Sequence, residues 1–109
     1  MQSAAVAENK IFQALADPSR RAIFESLTRG EAAVKDITAR FDISQPAVSK
    51  HLGVLKEAEL VRDRREGRQT YYKADREGLA PLIDWIRHYA VFWRDRFDRL
   101  EQLLEKMDE

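Results

Sequence analysis

Between residues 44 and 56 the chain sets Ser44, Gln45, Ala47, Ser49, Lys50, Gly53 and Lys56 against an apolar series, Val48, Leu52 and Leu55. Steps of four and three put the apolar residues on one face of a helix and leave the short and hydrogen-bonding side chains on the other. Such an outward rim has the chemistry of base recognition. A glutamine amide pairs with adenine N6 and N7, a lysine donates to guanine O6 and N7, an alanine methyl meets the thymine methyl, and a serine hydroxyl serves base or phosphate. Small residues at 47 and 53 let the helix backbone come close. Immediately downstream, LVRDRREGRQTYYKAD carries Arg62, Arg64, Arg65 and Arg68, all expected to reach outward. The guanidinium groups of Arg64, Arg65 and Arg68 suit the phosphates and narrow A·T-rich stretches of the adjacent minor groove. Lys35, Arg40 and Lys56 are placed for phosphates, which set position rather than sequence. The expected partner is duplex DNA.

The elements that must hold these groups are legible from local signals. The first ten residues show no apolar period and are expected to fray, with a short apolar stripe following at Ile11, Phe12, Leu15 and Ala16. Asp17-Pro18 opens a helix, since the aspartate can cap free backbone N–H groups and proline needs no donor in the first turn. That helix runs to about Arg29, with Ala22, Ile23 and Leu27 at core spacing, Phe24 beside them and Gly30 in a left-handed cap. Asp36 caps or opens a short helix, DITARF, in which Ile37 and Phe41 face inward. After the turn DIS, Ser44 caps a second helix that holds Gln45 and Pro46 in its first turn. The wing is read as two strands joined by Glu66-Gly67-Arg68 and anchored by Leu60, Val61, Tyr71 and Tyr72. A long helix follows from about Leu79 to Met107, with Pro81 near its first turn.

A length of 109 residues with 44% apolar side chains suits one core and a single domain spanning residues 1–109. Its expected parts are a DNA-binding core, 11–76, and a dimerisation helix, 79–107. The fold class expected is mainly α with a small β-hairpin: a winged helix-turn-helix with a long C-terminal helix. A net charge of zero argues against a nucleic-acid partner only as an average. Residues 35–76 hold ten basic and seven acidic side chains, whereas 77–109 hold five and eight. The positive field therefore sits with the reading segment. With no cysteine, the chain has no disulfide, thiolate metal site or thiol switch. No apolar run is long enough to span a bilayer and the start lacks the layout of a signal peptide, so a cytoplasmic location is expected. Among motifs for catalysis, neither GxSxG, HExxH nor a phosphate-cradling glycine loop occurs, so an enzyme is not expected.

The terminal helix carries a seam at Leu82, Ile86, Tyr89, Trp93, Phe97, Leu100, Leu104 and Met107. One small domain cannot cover so long a stripe, and burying each large side chain between two copies is worth about 1.5–3 kcal/mol. A homodimer is expected, reading a palindrome with half-sites about one helical turn apart. The aromatics Trp85, Tyr89, Phe92, Trp93 and Phe97 leave a second reading open, a pocket for an apolar effector.

ALADPSRRAIFESLTRGE, residues 14–31, and DISQPAVSKHLGVLKEAELVRDRREGRQTYYKAD, residues 42–75, resemble the ArsR-type winged helix-turn-helix regulators. The resemblance covers most of the chain from Ile11 to Asp75. It implies a homodimeric bacterial transcription regulator, usually a repressor, that binds a palindromic operator through helix 45–58 and wing 60–75. Metal-sensing members place Cys-Val-Cys-Asp where this chain has Ala33-Val34-Lys35-Asp36. Others use His and carboxylates on the terminal helix, where this chain offers only His88, four residues after Asp84. Positions four apart face one way, so Asp84 and His88 could make a half-site completed by a second subunit, but two ligands fall short of a closed tetrahedral shell, and neither a metal nor another cofactor is expected. His51 is read as a packing residue. The rival to a DNA reader is a protein-interaction module that keeps the winged fold and docks through the terminal helix.

Overall fold

The computed structural model describes residues 4–108. Helix α1 (Ala4–Ala16) leads through Asp17 into α2 (Pro18–Thr28), a short strand β1 (Ala32–Ala33), and the helix pair α3 (Val34–Phe41) and α4 (Gln45–Glu57). Strands β2 (Val61–Glu66) and β3 (Gln69–Ala74) form the hairpin, and a 3-10 turn, Arg76–Leu79, feeds the long helix α5 (Ala80–Met107). The sheet is antiparallel in the order β1-β3-β2, with β1 pairing Ala32 with Tyr72 and Ala33 with Tyr71.

The local signals act as physical chemistry requires. The Asp17 carboxylate accepts from the Arg20 backbone N–H at 3.0 Å, which also holds that carboxyl below its ordinary range. Ser44 Oγ accepts from the Ala47 N–H at 3.2 Å and Pro46 stands in the first turn of α4. Ile11, Ile23, Ile37, Val48, Leu52, Leu55 and Leu60 are fully buried and join α1, α2, α3, α4 and the wing base in one core.

Several expectations need correction. Residues 4–10, expected to fray, are helical, because Ala-rich sequence has high helix propensity and the helix gains a packing face at Ile11 and Ala14; the same expectation for residues 1–3 lies outside the described residues. Its C-terminal carbonyls are capped from α2: Arg20 Nε donates to Ala14 O at 2.7 Å, and Arg21 Nη1 donates to Leu15 O at 2.8 Å. Gly30 is not a left-handed cap, since α2 ends at Arg29 in right-handed geometry and the Arg29 N–H bonds Ser26 O. Ala33 rather than Asp36 stands at the N-cap of α3, and Asp36 takes a first-turn place where a carboxylate complements the helix dipole. The hairpin loop is Gly67-Arg68 alone, with Glu66 paired to Gln69, because Gly67 takes φ 62° and closes a two-residue turn.

A domain of this length packed into a ball would have a radius of gyration near 13 Å. The observed value is 18.4 Å, with a long dimension of 64 Å. The excess is α5, whose 28 residues extend about 42 Å.

Candidate nucleic-acid interface

Helix α4 is held from beneath by Val48, Leu52 and Leu55, all fully buried. Lys50 is two residues from both Val48 and Leu52, about 200° around the helix from each, and so points away from the core. Ser49 flanks that face, while Gln45, seven residues before Leu52, stands in the first turn on the packed side's edge beyond the core, and both are exposed. Gly53 continues the face, and a methyl built on it would meet nothing within 4 Å. Ala47 stands on the opposite flank and is half-buried, with Ser44 exposed at the cap. The side chains of Gln45, Ser49 and Lys50 form no hydrogen bond or ion pair with the described residues. Their donors and acceptors are open to an incoming partner.

His51 lies at the edge of the packed face, half-buried, and its Nδ1 is enclosed with no hydrogen-bond partner. That placement suits packing. Lys35 is exposed in the first turn of α3 and Arg40 in its last.

The wing sorts its arginines by strand alternation, which sends successive side chains to opposite faces. Arg62 and Arg64 share one face. Arg62 Nε donates to Asp75 Oδ2 at 2.7 Å, which lowers the Asp75 pKa and raises that of Arg62. Arg64 donates to Glu31 Oε1 at 2.6 Å and to Glu66 Oε2 at 2.7 Å, and its guanidinium lies 4.5 Å from the centre of the Tyr71 ring. These bonds raise the Arg64 pKa and hold Glu31 below the usual carboxylate range. The expectation that all four arginines reach outward thus changes in detail: Arg62 and Arg64 are solvent-exposed yet engaged by carboxylates. Arg65 and Arg68 are exposed and form no ion pair with the described residues. On Arg65's side of the strand, Asp63 accepts from Lys56 Nζ of α4 at 3.1 Å. The free arginine of β2 therefore faces the side on which the rim helix packs. Burial within the sheet raises the Tyr72 hydroxyl pKa.

Helix α5 presents a different surface. Its proposed seam is uncovered beyond Leu82: Trp93 is 52% exposed and Phe97 61%, with Ile86, Tyr89 and Leu100 also exposed. Rings meet along it, with Phe12 of α1 edge-on to Trp85 at 5.4 Å and Trp85 against Tyr89 at 4.9 Å. The participation of α1 is not legible in the sequence, where Phe12 reads only as part of a short apolar stripe. His88 stacks edge-on to Tyr89, and Asp84 is exposed. Among the described residues no group of three or more His, Cys, Asp or Glu could hold a metal ion, and no helix is long and apolar enough to cross a membrane.

Residues 15–64 match a family model described as a helix-turn-helix domain. The chain is 49% identical over 97 residues to the HTH-type transcriptional regulator Rv2034 of Mycobacterium tuberculosis, covering 89% of this chain and 88% of the relative. It is 38% identical over 81 residues to the transcriptional repressor SdpR of Bacillus subtilis, covering 74% and 90%. A crystal structure of an ArsR family transcriptional regulator superposes with a TM-score of 0.75 at 32% identity, covering 86% of this chain and 97% of that one. These relatives are regulators of transcription rather than enzymes. With its helix pair, wing and long terminal helix, the chain belongs to the ArsR family of DNA-binding helix-turn-helix transcriptional regulators.

Proposed function

We propose that the chain is a homodimeric, cytoplasmic repressor that binds a palindromic operator, with α4 in the major groove and the wing beside it. The observation that carries this reading is the N-terminal end and outward face of α4, where Gln45, Ser49 and Lys50 are exposed with their hydrogen-bonding groups unspent. In this reading Gln45 and Lys50 read base edges, Ala47 meets a thymine methyl, and Ser44, Ser49 and Lys35 position the helix on base or phosphate. Arg65 and Arg68 supply the wing's contacts. Arg64, spent on Glu31 and Glu66, contributes chiefly to the wing's shape.

Residues 1–109 act as one domain in two parts, a reader over 11–76 and a dimerisation helix over 79–107. The seam of Leu82, Ile86, Tyr89, Trp93, Phe97 and Leu100 packs against its copy, because an apolar stripe this long marks an interface. The residues present do not fit a metal site. Ala33 is buried and has no donor, Lys35 is a cation, and Asp84 with His88 is at most a two-ligand half-site that a second copy would have to complete, with the His88 ring packed edge-on to Tyr89. Regulation is therefore assigned to no metal. Stoichiometric Zn²⁺ uptake that changed operator affinity would overturn that assignment.

The test is selection of genomic fragments from the source organism, followed by anisotropy titrations on the enriched duplex at several salt concentrations. A DNA reader loses affinity steeply with salt as displaced counterions return to the phosphates. A protein-docking module enriches no sequence.

A further inference from the structure

The reading helix and the dimerisation helix meet at one joint, and its key residue is a glycine. Helix α4 ends in a Schellman turn: the Leu60 N–H bonds Leu55 O at 2.9 Å, the Glu59 N–H bonds Lys56 O at 2.9 Å, and both leucines are fully buried. Position 59 takes the left-handed conformation, φ 63°, where glycine is the usual residue. Onto this turn folds the segment that starts α5. The Asp75 N–H bonds Leu60 O at 2.9 Å, and the Gly78 N–H bonds Asp75 O at 3.1 Å. The Asp75 side chain accepts from Glu77 N at 3.1 Å and from Arg62 Nε at 2.7 Å.

Gly78 then lies directly against the Glu59 peptide. A methyl built on it would overlap the Glu59 carbonyl oxygen and stand 2.7 Å from the carbonyl carbon. Both partners are backbone, so no side chain can swing aside to make room. Gly30 and Gly53 differ, since a methyl on either meets nothing within 4 Å.

We infer that the backbone contact between Gly78 and Glu59 fixes the angle between α4 and α5, and so determines which half-site spacing the protein accepts. This rests on the dimeric reading proposed above. Only Leu79 separates Gly78 from Ala80, where α5 begins, so a displacement at the joint passes straight into the arm. In a pair joined through α5, the two α4 helices must reach grooves one helical turn apart. One base pair of error is only ~3.4 Å along the duplex. Gly78 is a positioning residue, outside both the α4 rim and the seam.

The experiment measures affinity of the full-length chain for a series of duplexes in which the selected half-sites are moved apart or together one base pair at a time. Sedimentation equilibrium and thermal melting are run beside it. Wild type favours one spacing sharply. Gly78→Ala still dimerises and retains its salt-dependent binding to random duplex, but loses about tenfold on the preferred spacing, comparable to a mismatched base pair in the site, and its optimum broadens or shifts. Gly30→Ala keeps the wild-type profile. A folded, dimeric Gly78→Ala with the wild-type profile overturns the inference. Should that variant not fold, Asp75→Ala decides, because it removes two side-chain bonds of the joint without overlap; an unchanged profile there overturns the inference equally. A wild type that dimerises and binds DNA yet ignores spacing also overturns it. A wild type that neither dimerises nor prefers any duplex instead shows that the dimeric reading itself is at fault.

Discussion

Residues 4–79 and helix α5 solve the same physical problem in opposite ways. The first part closes a core on itself, with Ile11, Ile23, Ile37, Val48, Leu52, Leu55 and Leu60 fully buried. Helix α5 buries no residue fully and leaves Ile86, Trp93, Phe97, Leu100 and Leu104 in water. The first is a closed unit whose large exposed apolar side chains are Val6 and Phe12 of α1; in the proposed dimer the second is half of an interface. In the proposed dimer the reader is held together by its own chain, whereas the number and spacing of readers is delegated to association.

If this contrast is right, equal insults to the two parts should have different consequences. Leu52→Ala leaves a cavity beneath the rim, and about 2–5 kcal/mol of folding stability should go with it. Urea denaturation at fixed protein concentration measures this, and a loss below 1 kcal/mol would break the contrast. Trp93→Ala, by comparison, removes a large exposed ring. It should weaken dimerisation by about 1.5–3 kcal/mol for each copy, with operator affinity falling alongside, while the monomer's fold survives. Sedimentation and circular dichroism separate the two effects, and a monomeric variant with full operator binding would contradict the assignment.

Within the reader, Lys50→Ala should cost about 1–3 kcal/mol on the preferred operator and little on random duplex. Arg68→Ala should weaken both alike and reduce the salt slope by about one. Arg64→Ala should change the slope less than Arg68→Ala, since Glu31 and Glu66 already neutralise that guanidinium. Equal slopes for the two variants would show that the carboxylates release Arg64 on DNA.

The smallest effect is a pH dependence. The Glu31 carboxyl is held below its ordinary value by hydrogen bonds from Arg64. A depressed folded pKa stabilises the native state above the unfolded value, near pH 4, and the contribution fades as pH falls through the folded value. The difference in melting temperature between wild type and Glu31→Gln should therefore be present at pH 7 and shrink towards pH 3. A difference independent of pH would assign it to packing rather than charge.

What could be read from residues alone follows the range of the forces involved. Asp17 and Ser44 act on backbone N–H groups three residues away, and Val48, Leu52 and Leu55 share one helix face. These elements are visible in a local window. Strand β1 is two residues long and exists only because Tyr71 and Tyr72 pair with it. Glu31 finds Arg64 across 33 positions, and Arg20 caps a helix other than its own. Spacing rules cannot express such contacts. Gly78 reads as an ordinary loop glycine until the Glu59 peptide is seen against it.

The central claim is that the α4 rim is presented twice, by a pair joined through α5, to one duplex. Sedimentation velocity of the chain with its selected operator measures the stoichiometry directly. Two protomers per duplex for wild type, with Trp93→Ala losing that complex at the same concentration, is the result the account predicts. One protomer per duplex at full affinity, or an unchanged complex with Trp93→Ala, would contradict it.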